Sequence, residues 1–239
     1  MRLDISTAQQ LVDYPSEKLN TELKRWIYPD HPAGMAKNVR AVLGLHDRDG
    51  GHLIIGSDDK THLPDLPNRD FVPQELFHGD IIHSLVSKYS SQQFEISVAY
   101  PNRKWNVLVV VAIPSGVRVP VAAKKDLVGP DKKRLIREGD VYFRTWQSNN
   151  TVRTATARPD DWADTIEICM ENRKADLGRF VRRHLTPLPL HKPPHPGRHT
   201  TPAARITHST LGPDDHRRHN CAPAICARPR LRFAVPTLI

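Results

Sequence analysis

The chain has 239 residues, a formal net charge of +9, and charged side chains at 26% of its positions. No stretch approaches the roughly 18 consecutive apolar residues that a spanning helix needs, so we expect no membrane association. The opening sequence MRLDISTAQQ lacks the apolar stretch of a signal peptide, and three cysteines are too few for a disulfide framework. These features predict a cytoplasmic protein.

Composition divides the chain near Thr186. Residues 187–239 hold 10 of the 21 prolines and 6 of the 13 histidines, but only one of the 15 aromatic residues, Phe233. Such a segment cannot build a hydrophobic core, so we predict one domain over residues 1–186 and a disordered tail over 187–239. Seven of the tail's eight basic residues are arginine, which favours sequence without selected structure over a basic arm that binds nucleic acid. A zinc site is a further alternative in the tail, with the ligands His216, His219, Cys221 and Cys226.

The first predicted elements alternate between helix and strand. A short helix is predicted over residues 6–14, and the alternation of apolar and polar residues over 19–24 indicates a strand. A second helix is predicted over 32–46, because its apolar residues form one stripe and Asp30 is placed to cap its first turn. Two glycines then end the helix, and residues 52–56 are typical of a buried strand.

The later elements complete a mixed α+β domain. Pro73 is expected to open a helix over residues 73–86, with apolar side chains at helical spacing. Residues 94–98 and 105–113 predict a β-hairpin whose second strand is buried on both faces. The remaining predicted elements are strands over 117–122 and 140–145 and a helix that begins at Pro159 and continues toward Leu185.

The usual nucleotide-binding, hydrolase and zinc-protease motifs are absent from the sequence. Four blocks remain, in this order: Ser16-Glu17 to Glu22-Leu23-Lys24, Asp49-Gly50-Gly51 to Gly56-Ser57-Asp58-Asp59, Val119-Pro120-Val121, and Asp140 to Arg144 followed by Ser148-Asn149-Asn150. This series resembles the Schlafen AlbA-type domain family over residues 15–169. The resemblance implies a single mixed-sheet domain with flanking helices that associates with nucleic acid.

The resemblance also implies a catalytic site. Matched to the Schlafen nuclease pattern, Glu17, Glu22 and Asp59 would be the catalytic and metal-binding carboxylates of an endoribonuclease that cleaves tRNA or structured RNA. Carboxylate oxygens suit Mg²⁺ or Mn²⁺, and either ion would lower the pKa of a bound water and neutralise phosphate charge. The alternative is that Glu17 and Glu22 are surface acids, paired with Lys18, Lys24 or Arg25.

Basic side chains indicate where nucleic acid would bind. The predicted binding residues are Lys24, Arg103, Lys104, Lys132, Lys133, Arg134 and Arg144. Acidic residues are interleaved with the basic stretch after Lys124, so a solvated loop is the alternative. The expected partner is RNA or DNA.

Three further interpretations stay open. The domain is either an endoribonuclease or a catalytically silent module that binds DNA, regulates transcription or binds ATP, and a bare interaction module is a third possibility. A homodimer is also expected, because the resemblance implies a two-lobed core and the apolar strand Val107 to Ile113 needs cover on both faces.

Overall fold

The computed structural model describes residues 3–184. The disordered tail and the zinc alternative, both predicted within residues 187–239, lie outside the described residues. The helices of the described range are α1 (Ile5–Asp13), α2 (Pro32–Asp47), α3 (Pro73–Leu76), α4 (Gly79–Tyr89) and α5 (Pro159–His184). The strands are β1 (Thr21–Lys24), β2 (Gly51–Ile55), β3 (Ser97–Ala99), β4 (Asn102–Arg103), β5 (Asn106–Val107), β6 (Val109–Ile113), β7 (Leu127–Val128), β8 (Arg134–Ile136), β9 (Tyr142–Trp146) and β10 (Val152–Thr156).

A four-stranded mixed sheet lies at the centre of the fold, in the order β1-β2-β6-β3. β1 and β2 run parallel, whereas β2 with β6 and β6 with β3 are antiparallel pairs. A parallel pair needs a long crossover connection, and α2 supplies it. Together with the flanking helices, this mixed sheet confirms the predicted α+β fold class.

β6 is covered on both faces by the chain itself. All five of its residues are buried, and successive side chains point to opposite faces of the sheet. Val109 and Val111 belong to the cluster that includes residues of α2 and α4, whereas Val110 packs with Ala8 and Val12 of α1. The structure therefore removes the argument that this strand needs a second copy to cover it.

β9 and β10 form an antiparallel hairpin that packs on α2. Gly44 of α2 permits this approach, because a Cβ atom there would overlap the side chain of Thr154. The hydroxyl of Thr154 in turn donates a hydrogen bond of 2.8 Å to Glu22 of β1. The hairpin thus brings a polar strand beside the first strand of the central sheet.

The predicted helix over residues 73–86 is two helices, and α4 begins anew at Gly79. His78 caps α4, since its Nδ1 atom accepts a hydrogen bond from the backbone N–H of Asp80. The prediction of a strand over 117–122 was wrong: within the described residues, that segment forms only an isolated bridge from Ala122 to Val141. The β7–β8 hairpin and β10 were not predicted.

Asp30 does not cap α2. The N-cap is His31, whose Nδ1 atom accepts from the backbone N–H of Ala33, and Asp30 instead forms a salt bridge of 2.7 Å with Arg69. The other end of α2 leads into β2 through two glycines, as predicted. Gly51 has φ 147° and a Cβ atom there would overlap the carbonyl oxygen of Asn20, so glycine is required for this turn.

The long final helix, α5, begins at Pro159 and continues to His184, in agreement with the prediction of a helix from Pro159 toward Leu185. It packs through a narrow face that includes Thr165 and Cys169. None of the helices within residues 3–184 has the length and apolar character needed to cross a bilayer.

Candidate nucleic-acid interface

A cleft of about 480 Å³ opens beside β1, between α2 and the β9–β10 hairpin. Its three carboxylates are those predicted from the sequence, Glu17, Glu22 and Asp59. Its five cationic side chains are Lys24, Arg25, Lys37, Arg40 and Arg153. The structure therefore brings the three carboxylates into one cleft, together with five basic side chains.

Glu22 lies at the base of the cleft and is almost completely buried. Its Oε1 atom is 2.8 Å from the Lys24 ammonium, and its Oε2 atom is 2.7 Å from the guanidinium of Arg144 and accepts the Thr154 hydroxyl. Burial alone would raise the pKa of Glu22, but the Lys24 and Arg144 charges outweigh it and hold the pKa below its ordinary value. Glu22 is therefore an ionised, fully partnered carboxylate.

Arg144 of β9 links its own strand to β1 and to the segment before β1. Its side chain is 0% exposed, and it donates to the backbone carbonyls of Lys18, Leu19 and Thr21 at 2.7, 3.0 and 3.0 Å. It also contacts the carboxylates of Glu17 and Glu22 and the hydroxyl of Thr154. Because every face of the guanidinium already meets protein, Arg144 is placed beneath the cleft and away from any phosphate at the surface.

Glu17 and Asp59 differ from Glu22 in their partners. The Glu17 carboxylate is half-buried, lies 3.5 Å from Arg144, and has a pKa raised by that burial. Asp59 is exposed at the mouth of the cleft. The neighbouring carboxylate of Asp58 stabilises the loop after β2, because it accepts hydrogen bonds from the backbone N–H groups of Lys60 and Thr61.

The three carboxylates do not fit a divalent metal as they stand. Both oxygens of Glu22 are taken by cations and a hydroxyl, and displacing them would leave the Arg144 guanidinium buried without its main counter-charge. Over residues 3–184, no group of three or more His, Cys, Asp or Glu side chains is arranged to hold a metal ion. The Mg²⁺ or Mn²⁺ expected from the sequence has no set of free ligands here.

The cationic side of the cleft is different. Lys24 and Arg25 have carboxylate partners: Glu22 for the first, and Asp58 and Asp65 for the second. Among the described residues, no carboxylate lies within salt-bridge distance of Lys37, Arg40 or Arg153. Lys37 and Arg40 are three positions apart on α2 and so lie on the same helical face. These three cationic side chains thus line one concave surface without a carboxylate partner in the described part of the chain.

The other predicted binding residues lie outside this cleft. Arg103 and Lys104 belong to the β4–β5 hairpin, where the Arg103 guanidinium donates to the backbone carbonyl of His62. Lys132 and Lys133 are exposed in the turn between β7 and β8, and Arg134 begins β8. The guanidinium of Arg134 is 3.3 Å from the carboxylate of Asp126, so this hairpin carries interleaved charge of both signs.

Sequence reasoning missed Lys37 and Arg40 as binding candidates and did not foresee the position of Thr154. The spacing of Lys37 and Arg40 on a predicted amphipathic helix was a usable signal, since it placed both on the polar face. Thr154 gave no such signal, because β10 itself was not predicted.

No family model and no curated protein matches this chain. Among solved structures, the DIP2311 protein from Corynebacterium diphtheriae matches with a TM-score of 0.42 and 12% identity, over 63% of this chain and 30% of that one. The N-terminal domain of a Nitrosomonas europaea protein named as related to the ATP-dependent DNA helicase RecG matches with a TM-score of 0.32 and 20% identity, over 45% of this chain and 72% of that one. Both TM-scores lie below 0.5, so we base no functional argument on these similarities.

Proposed function

We propose that this chain is a nucleic-acid-binding module whose cleft holds the sugar-phosphate backbone of RNA or DNA. The observation that carries the proposal is the set of three cleft cations, Lys37, Arg40 and Arg153, that have no carboxylate partner among the described residues. A concave surface focuses the field of such charges, so it attracts a polyanion more strongly than the same charges on a flat surface would. Backbone phosphates are the ligands that match them.

The buried network supports this role by fixing the cleft floor. Glu22 is neutralised by Lys24 and Arg144, so it repels a bound phosphate less than a free carboxylate would. Arg144 ties β9 to the segment before β1, which holds the two walls of the cleft in place. We therefore assign Glu22 and Arg144 to the support of the binding surface.

Metal-dependent RNA cleavage at Glu17, Glu22 and Asp59 is the second candidate. It is favoured by one observation, that all three carboxylates line the same cleft. The partners of Glu22 stand against it, because its oxygens are not free to hold Mg²⁺ or Mn²⁺. An assay of tRNA cleavage with and without Mn²⁺ decides: cutting that is lost in both Glu22→Ala and Asp59→Ala would establish this candidate.

Fluorescence anisotropy with labelled single-stranded and duplex RNA and DNA tests the binding proposal. The variant Lys37→Ala/Arg153→Ala removes two cleft charges, and we expect it to weaken binding of all sequences alike by about tenfold or more. The control variant is Lys132→Ala/Lys133→Ala/Arg134→Ala, which removes three charges outside the cleft.

If net charge alone governed binding, the control with three charges removed would lose more affinity than the cleft variant. The proposal requires the opposite order. Equal binding by the cleft variant and the unmodified protein would refute it.

A further inference from the structure

α5 carries an apolar stripe that the described part of the chain does not cover. Six of its large hydrophobic side chains are between 38% and 63% exposed: Trp162, Ile166, Met170, Leu177, Phe180 and Val181. At 3.6 residues per turn they fall within about 100° of the helix circumference. The buried residues Asp161, Thr165 and Cys169 lie on the adjacent face of the helix, which packs on the domain, and the stripe begins beside it.

The charges of α5 are divided between its two halves. Residues 159–171 contain five acidic residues and no lysine or arginine, whereas 172–184 contain five lysine or arginine residues and one acid, Asp176. Some of these charges are satisfied within the domain. Arg48 pairs with Asp164, and Arg118 pairs with Asp176. The charges that flank the stripe, however, include Glu167 and Lys174, and the structure gives neither of them a salt bridge among residues 3–184.

We propose that a second copy of this chain covers the stripe, with the two α5 helices antiparallel. Only an antiparallel arrangement places the acidic half of each helix beside the basic half of the other, whereas a parallel pair would set like charges side by side. The stripe supplies the apolar contact, and the flanking charges select the orientation.

One register satisfies both the charges and the apolar side chains. With the two-fold axis near Met170 and Glu171, Glu167 lies opposite Lys174 of the partner subunit, and symmetry repeats that pair. The same axis sets Trp162 opposite Phe180 of the partner subunit, so the largest side chains of the stripe meet. The midpoint of Glu167 and Lys174 and the midpoint of Trp162 and Phe180 thus agree to within half a residue.

This dimer differs from the one expected from the sequence. That expectation rested on an uncovered β6, and β6 is buried within its own chain. The α5 surface also lies apart from the cationic cleft, whose lining residues come from β1, α2, β10 and neighbouring loops. The dimer and the nucleic-acid proposal can therefore fail independently.

Charge reversal tests the proposal in the full chain. Sedimentation equilibrium of nucleic-acid-free protein should show a dimer. Glu167→Lys and Lys174→Glu should each raise its dissociation constant by about tenfold or more, because each sets like charges opposite one another in two symmetric pairs. The double variant Glu167→Lys/Lys174→Glu restores opposite charges and should return the constant to within about threefold of the original value.

The controls separate this effect from misfolding and from net charge. Glu138→Lys makes the same charge change on an exposed residue outside α5 and should leave the dimer unchanged. Circular dichroism should show equal helix content in every variant. The proposal would be overturned if the unmodified protein stayed monomeric at ~100 μM. Cover of the stripe by residues 185–239 of the same chain would give that same monomeric result and would overturn the proposal equally. A double variant that dimerises no better than the single ones would also overturn it.

Discussion

Replacing Arg144 with methionine should destabilise the protein more than any other single change at the cleft. Methionine keeps much of the apolar volume of the side chain but removes its charge and all of its donors. Glu22 would then lie buried with only Lys24 and Thr154 as partners, and the carbonyl of Leu19 would lose the guanidinium bond of 3.0 Å. Removal of one member of a buried ion pair costs about 3–5 kcal/mol, because the other charge stays behind.

That loss is a large part of the about 5–15 kcal/mol that stabilises a typical domain. For a chain of this size it corresponds to a fall in Tm of roughly 6–20 °C. Thermal and urea unfolding followed by circular dichroism would measure it. Arg153→Met is the matched control, since Arg153 is exposed on the adjacent strand β10 and should change stability by less than about 0.5 kcal/mol.

A double variant identifies the cause of the loss. In Arg144→Met/Glu22→Gln the orphaned charge is gone, so the double variant should be more stable than the sum of the two single changes predicts, by about 1–3 kcal/mol. A Tm for Arg144→Met within 2 °C of the unmodified protein, on the scale of about 2–4 °C per kcal/mol, would refute this view of the buried network.

Two further predictions use matched pairs of variants. Because the pKa of Glu22 is lowered in the folded state, its ionised form stabilises the fold at pH values above the ordinary carboxyl range. This stabilisation is lost as the pH falls through the folded-state pKa of Glu22. The pKa of Glu17 is raised by burial, so ionisation of Glu17 destabilises the fold instead. At pH 7, Glu22→Gln should therefore lower the Tm, whereas Glu17→Gln should leave the Tm unchanged or raise it. The Tm loss of Glu22→Gln should become smaller below about pH 4. Equal effects of the two variants on the Tm at pH 7 would contradict these opposite pKa shifts. Gly34→Ala should destabilise α2, although alanine is the better helix former, because the added Cβ atom would overlap the carbonyl oxygen of Tyr28. At Gly79 the added Cβ atom would meet open space, so Gly79→Ala should be neutral or stabilising. Urea unfolding of both variants measures the difference. A Gly34→Ala variant as stable as Gly79→Ala would show that this close approach is not a constraint.

Local patterns predicted the elements that depend on local physics. The apolar stripe of α2, the two glycines that follow it and the alternation over residues 19–24 are each patterns within one short stretch of chain, so the sequence alone indicated them. The β7–β8 hairpin and β10 could not be found this way, because their strands are short or polar and are fixed by the elements they pair with.

The candidate site shows the same division. The family resemblance named Glu22 and Asp59 together, and the structure places both in the cleft, because Glu22 lies on β1 and Asp59 follows the adjacent strand β2. The burial of Arg144 was not predictable, since its acceptors come from residues more than 120 positions away along the chain. The sequence predicted the Arg144 guanidinium as a phosphate ligand, but the structure buries it in the protein interior.

The salt dependence of binding tests the central proposal most directly. Dissociation constants for a single-stranded RNA, measured at several salt concentrations, give a slope that counts the phosphates neutralised by the protein. If Lys37 and Arg153 hold phosphates in the cleft, Lys37→Ala/Arg153→Ala should lower the magnitude of that slope by about 1.4, which is two contacts at about 0.7 each for a single strand. A slope identical to that of the unmodified protein would show that the cleft does not hold the nucleic acid.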